Sequence, residues 1–132
     1  MHQSYDIILG HQADFKVRYR FFTKNEGGRA TLPYQGYRSD FWYLHEEQES
    51  HNSIYMIRPE FLDYAGEVIT DSEVTIPREG IAKMWIIVPV MREFHRKGIK
   101  IGVKCFFMEG PNKVAEAEVI EIMDLHTNPI AH

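Results

Sequence analysis

The dominant period along the chain is two. From Phe15 to Phe21 the odd positions are Phe15, Val17, Tyr19 and Phe21, with Lys16, Arg18 and Arg20 between them. Successive side chains of a strand point to opposite faces, so this run predicts a half-buried strand with an apolar inner face and a basic outer one. Ile99, Ile101, Val103, Cys105 and Phe107 repeat the pattern around Lys100, Gly102 and Lys104. Ala115, Ala117 and Val119 alternate with Glu116 and Glu118, and then the phase slips, because Ile120 and Ile122 flank Glu121. A β-bulge accounts for such a slip. Aromatic and branched residues mark further strands over residues 40–45, 53–58 and 82–88. The "MWIIVPV" run reads as buried on both faces, and Pro89 ends its ladder. "MREFHRKG" has room for one helical turn, and helical spacing is poorly supported elsewhere. "HEEQESHNS" reads as an exposed loop, and Gly27-Gly28, Gly66, Gly98 and Gly110-Pro111 punctuate the strands. Several short strands in succession predict an all-β antiparallel barrel or sandwich.

Composition narrows this picture without redirecting it. With 132 residues, 44% of them hydrophobic and 26% charged, the chain predicts one soluble globular domain. Neither a repeat nor a linker divides it. The net charge of -4 argues against a bulk grip on nucleic acid or an anionic membrane, and leaves room for local basic patches. A single cysteine, Cys105, excludes an internal disulfide and fits a reducing cytosol. "MHQSYDIILG" lacks the basic and long apolar regions of a signal peptide, and the apolar run from Met84 to Met91 is too short to span a bilayer. A cytoplasmic protein with no membrane partner is expected.

The chemistry-bearing residues are few. Glu26-Gly27-Gly28-Arg29 lacks the longer glycine frame and the Lys-Ser/Thr of a phosphate-binding loop, so the glycines read as a tight turn and no nucleotide is expected. The seven histidines, at 2, 11, 45, 51, 95, 126 and 132, have no compact ligand spacing, so they read as surface residues and no metal is expected. Cys105 shares a strand face with Val103 and Phe107, which predicts a buried core thiol. The carboxylate pairs Glu46/Glu47 and Glu116/Glu118 imply no pocket, so no catalytic residue, no cofactor and no enzyme activity are expected. Arg18, Arg20, Arg29 and Arg38 stand out. They could meet RNA phosphates, with Tyr34 or Tyr37 stacking on bases; they could meet acidic groups of a protein; or they could pair with the chain's own carboxylates. Tyr34, Tyr37, Trp42 and Trp85 are candidates either for an apolar contact patch or for core and rim packing.

The same segment carries a resemblance. "KNEGGRATLPYQGYRSDFWY", residues 24–43, resembles the signature of the C-terminal β-barrel, domain three, of elongation factor Tu. The matching residues are Glu26, Gly27, Gly28, Arg29, Gly36, Tyr37, Arg38, Phe41 and Tyr43. "DFKVRYRFFTK" looks like the first strand of that barrel, and "IAKMWIIVPV" and "IGVKCFFMEGPNKVAEAEVIEI" like its closing strands. The likeness covers most of residues 14–125, with extra residues between 45 and 77, and implies a six-stranded antiparallel closed barrel flanked by N- and C-terminal extensions. In that family, domain three packs against a GTPase domain and contacts the T-stem of aminoacyl-tRNA. Arg29 matches an arginine of the tRNA surface and Gly110 a late glycine, whereas Ala30, Val88 and Pro111 depart from the family pattern. This sequence carries no Walker-type loop and is too short for a GTPase domain. The resemblance therefore implies a stand-alone, non-catalytic barrel that binds protein or tRNA-like RNA in a translation-related setting. Its contact residues would be Arg18, Arg20, Arg29, Tyr34, Tyr37, Arg38 and Gly110. Two alternatives stay open: a decoy or immunity-type mimic of elongation factor Tu against a toxin, and an uncharacterised enzyme.

Overall fold

The alternation read over residues 15–21 organises the whole molecule. The computed structural model describes residues 1–43 and 54–131. Along them run α1 (Tyr5–Leu9), β1 (Phe15–Phe21), β2 (Asp40–Tyr43), β3 (Ile57–Phe61), β4 (Glu79–Ile86), α2 (Arg92–Gly98), β5 (Lys104–Glu109) and β6 (Asn112–Ile122). The six strands form one antiparallel sheet in the order β2-β5-β6-β1-β4-β3. Phe15, Val17, Tyr19 and Phe21 of β1 are buried, and with Phe41, Phe61 and Phe107 they fill the concave side of the sheet. Their rings meet mostly edge to face, from 5.1 Å between Tyr19 and Phe61 to 6.3 Å between Phe61 and Phe107. Such contacts add about 0.5–1.5 kcal/mol per pair beyond area burial.

The expected slip in β6 is a bulge: Lys16 faces Glu121 while Val17 faces Val119, so Ile120 is passed over. Other expectations need correcting. The sheet curls strongly but does not close into a barrel. Among the described residues its edge strand β2 is bridged not to β3 but to Tyr55, just before it, through Phe41, with N···O distances of 3.0 and 2.8 Å. Pro59 has no N–H to give, so β3 cannot carry a full ladder across that seam. The strand expected over residues 53–58 lies instead at Ile57–Phe61. The alternation from Ile99 becomes a strand only at Lys104, because a turn with Gly102 at φ 93° interrupts it. Residues 45–53, read as an exposed loop, lie outside the described residues.

Helices are more developed than the spacing showed. α2 has 7 residues and follows a 3₁₀ turn at Pro89–Met91, where β4 has already ended. It is fastened by Arg92, which is buried. Arg92 Nε donates to Asp14 Oδ1 at 2.7 Å, and its Nη2 to Ile86 O at 3.1 Å; Nη1 donates to Pro129 O. Asp14, also buried, accepts from Ile86 N at 2.8 Å and from Asn128 Nδ2 at 3.0 Å. This knot ties the start of β1, the end of β4, α2 and the C-terminal segment together. No described helix is long and apolar enough to cross a membrane.

Candidate interaction surface

The outward residues of four neighbouring strands line up in cross-strand rows. One row runs Ile81 (β4), Arg18 (β1), Glu118 (β6), Lys104 (β5); the next runs Glu79, Arg20, Glu116, Phe106. Between them lies the row Gly80, Tyr19, Ala117, Cys105. Tyr19, Ala117 and Cys105 are buried, so that middle row offers mainly backbone to the outside. The result is an open trench of about 820 Å³ across the strands, with Tyr64 standing at its β4 side. Tyr64 is 90% exposed and Ile81 36%.

The trench is balanced in charge. Arg18, Arg20 and Lys104 face Glu79, Glu116 and Glu118, three cations against three carboxylates. Arg20 Nε donates to Glu116 Oε1 at 3.0 Å, and its two Nη groups grip Glu26 at 2.9 and 3.1 Å. That grip, with hydrogen bonds from Thr23, holds the Glu26 carboxyl down to about 2. Lys104 pairs with Glu118, whose carboxyl is lowered chiefly by that hydrogen bond. Arg18 and Glu79 form no ion pair among the described residues.

A second cluster forms at the turn between β5 and β6. Thr23 and Glu26 make a reciprocal cap on the 3₁₀ turn at Lys24–Glu26, and Gly27 ends it in the left-handed region at φ 93°. Gly28 follows where a Cβ would meet Phe22 O at 2.2 Å. Arg29 is thereby swung against Tyr37, its guanidinium 5.0 Å from the ring centre, and its Nη1 donates to Glu109 Oε2 at 2.5 Å. Tyr37 Oη donates to the same oxygen, and Gly110 at φ 57° makes the turn just beyond. Burial raises the Tyr37 hydroxyl, and the bond to Glu109 adds to that. Burial opposes ionisation of Glu109, but bonds from Tyr37 and Arg29 outweigh it and the carboxyl sits below its ordinary value.

The seven residues singled out from sequence thus do not form one site. Arg18 and Arg20 line the trench, and Arg29, Tyr37 and Gly110 share the turn cluster. Tyr34 bridges to Thr75 and is 51% exposed, while Arg38 is exposed within electrostatic reach of Tyr5, in the N-terminal segment. Of the three readings of the arginines, pairing with the chain's own carboxylates describes Arg20 and Arg29. Sequence reasoning missed Tyr64, Ile81 and Phe106 in the trench. Phe106 had a signal, since it alternates with the inward Cys105 and Phe107.

Other candidates resolve individually. Trp85 is 1% exposed beneath Tyr5 and His11, so it is no open patch. Trp42 is half-buried on the rim, against Phe106, with Lys113 Nζ 5.0 Å from its ring centre. Cys105 is buried as expected, and burial pushes its thiol well up. The histidines are not all superficial. His95 is 1% exposed with Nδ1 2.7 Å from Tyr43 Oη, and the His2 side chain is 6% exposed against Glu60. His45, His51, His132, Glu46 and Glu47 lie outside the described residues. Among the described residues no three His, Cys, Asp or Glu side chains cluster as a metal site would need. Searches of family models and of curated proteins return no match for this chain.

Proposed function

We propose that the chain is a non-catalytic binding module whose working surface is the trench across β4, β1, β6 and β5, and that its partner is a protein. The carrying observation is the balanced charge of the trench beside the exposed Tyr64 and Ile81. A surface for phosphates is built from excess cation. Here Arg20 and Lys104 would first have to leave carboxylates, whereas a polypeptide offers both signs of charge together with apolar groups to meet Ile81, Tyr64 and Phe106. Arg18, which forms no ion pair among the described residues, is the charge best placed for a partner carboxylate.

The resemblance to domain three of elongation factor Tu supplies the setting: a stand-alone relative of that barrel acting near the translation machinery. The capped turn before Gly27-Gly28-Arg29 and the packing of Arg29 on Tyr37 support the reading of residues 24–43 as a preserved structural signature. The GTPase domain of elongation factor Tu is the natural first protein probe, and tRNA the counter-probe. Calorimetric titration of the full chain at low salt should show the GTPase domain binding and tRNA not binding. Arg18→Glu and Tyr64→Ser should each weaken the protein complex by about ten-fold, the scale of one good interfacial contact. Binding of neither probe would sink the proposal, and binding of tRNA alone would replace it with the RNA reading.

A further inference from the structure

On the outer face of β3 and β4, away from the trench, a fully buried carboxylate relies on the N-terminal segment. Glu60 is 0% exposed. Its Oε2 lies 2.7 Å from His2 Nε2 and accepts from Tyr5 N at 2.8 Å. Both partners belong to residues 1–10, which cross the sheet as a strap. Lys83 stands directly opposite Glu60 in the β3–β4 register, yet forms no ion pair with it. Tyr5 meets Trp85 edge to face, ring centres 6.0 Å apart. The strap leaves the site incompletely satisfied: Glu60 Oε1 and Trp85 Nε1 are buried without a hydrogen-bond partner among the described residues.

The strap itself is weakly built. α1 has 5 residues and buries none of them, while Ile7 and Ile8 stay 67% and 55% exposed. A helix so short has no stability of its own in water. Beyond the Glu60 contacts and the rings on Trp85, it gains one main-chain bond to the body, His2 N to Thr70 O at 2.9 Å.

We infer that Glu60 and Trp85 form a docking site for a partner segment bearing an arginine with an aromatic residue three positions later, and that the strap occupies it as a weaker internal ligand. The strap displays the code in reduced form. His2 reaches one carboxylate oxygen, whereas a guanidinium donates two parallel N–H groups to both, supplying the missing partner of Oε1. Its planar face also suits the indole. Tyr5, three residues on, marks the aromatic position.

The test uses fluorescently labelled peptides of residues 1–11, in native form, with His2→Arg, and with His2→Ala/Tyr5→Ala. They are titrated against the full chain and against the full-length His2→Ala/Tyr5→Ala variant. On the variant the His2→Arg peptide should bind about ten-fold more tightly than the native one, the gain expected of a bidentate pair, and the doubly substituted peptide should not bind. On the native chain each affinity should fall, because the tethered strap competes at high effective concentration. Equal binding of the native and His2→Arg peptides, or no binding to the variant, overturns the inference. Amide exchange on the native chain is read in parallel and decides the matter should the variant unfold. Adding the His2→Arg peptide should speed exchange at Tyr5–Leu9 and leave β1 and β6 unchanged; no change at Tyr5–Leu9 overturns it.

Discussion

Two arginines, one buried and one on the outer face, use the same chemistry to different ends. Arg92 is 0% exposed and meets Asp14, itself 0% exposed, together with the carbonyls of Ile86 and Pro129. Arg20 lies on the outer face, gripping Glu26 and Glu116 from a side chain 31% exposed. Each is multiply bonded, but the surroundings set what the bonds are worth. Water competes with the outer network and screens it, so such pairs contribute little to stability. Asp14 and Arg92 are shielded from bulk solvent, and breaking a buried pair leaves an uncompensated charge. The inner network specifies how four segments meet; the outer one sets which charges remain for a partner.

Removing the inner cation is the strongest test of that contrast. Arg92→Met keeps much of the volume but strands Asp14, and should cost about 3–5 kcal/mol, the range for breaking a buried pair. In a domain of this size that lowers Tm by roughly 10–20 °C. Denaturant melts would measure the first figure and calorimetry the second. A loss below about 1 kcal/mol would show that the knot behaves like a surface pair.

The second test lies in the exposed turn cluster, where exposure does not make every position tolerant. Gly28→Ala would place a Cβ 2.2 Å from Phe22 O, a backbone atom that cannot move aside cheaply. Gly27→Ala meets no atom within 4 Å but must hold φ near 93°. The expected losses are about 2–3 kcal/mol for Gly28→Ala, toward the upper end of ordinary single substitutions, and about 1 kcal/mol for Gly27→Ala. Chemical denaturation of both variants would rank them, and the reverse order would show that the turn can shift away from Phe22.

What was readable in sequence follows the range of the forces involved. β1 appears with its observed bounds, Phe15–Phe21, because alternation over seven residues registers a local fact, which side faces the core. The β6 slip was equally local and became the bulge opposite Lys16 and Val17. Barrel closure was not readable, since it depends on whether β2 and β3 meet, and the proline that spoils their ladder looks like any strand proline. The Asp14–Arg92 knot was invisible for a similar reason: its partners are 78 residues apart and neither breaks a pattern. The contact arginines were half legible. Their outward direction followed from alternation, and Glu26 lies only six residues from Arg20, but Glu116 and Glu109, which also occupy Arg20 and Arg29, are far along the chain and are brought alongside only by the fold.

The smallest expected effect returns to Arg20, and it separates a partnered arginine from an available one. The Glu26 carboxyl is held down to about 2, first by Arg20 and then by the Thr23 cap. Because the folded value lies below the ordinary 4.5, the contribution is present above that value and is lost as pH falls from there toward 2. Arg20→Ala should raise the Glu26 midpoint only part of the way to 4.5, since Thr23 N still donates to Glu26 Oε1 at 2.9 Å. Side-chain carboxyl chemical shifts followed across an acid titration would give both midpoints. Melting temperature at neutral pH should change less than for Arg92→Met or Gly28→Ala, because both members of the outer pair are open to solvent. A native Glu26 that already titrated near 4.5 would mean that Arg20 is not held by it. Arg20 would then be held by Glu116 alone and would have more of its charge to offer a partner of the trench.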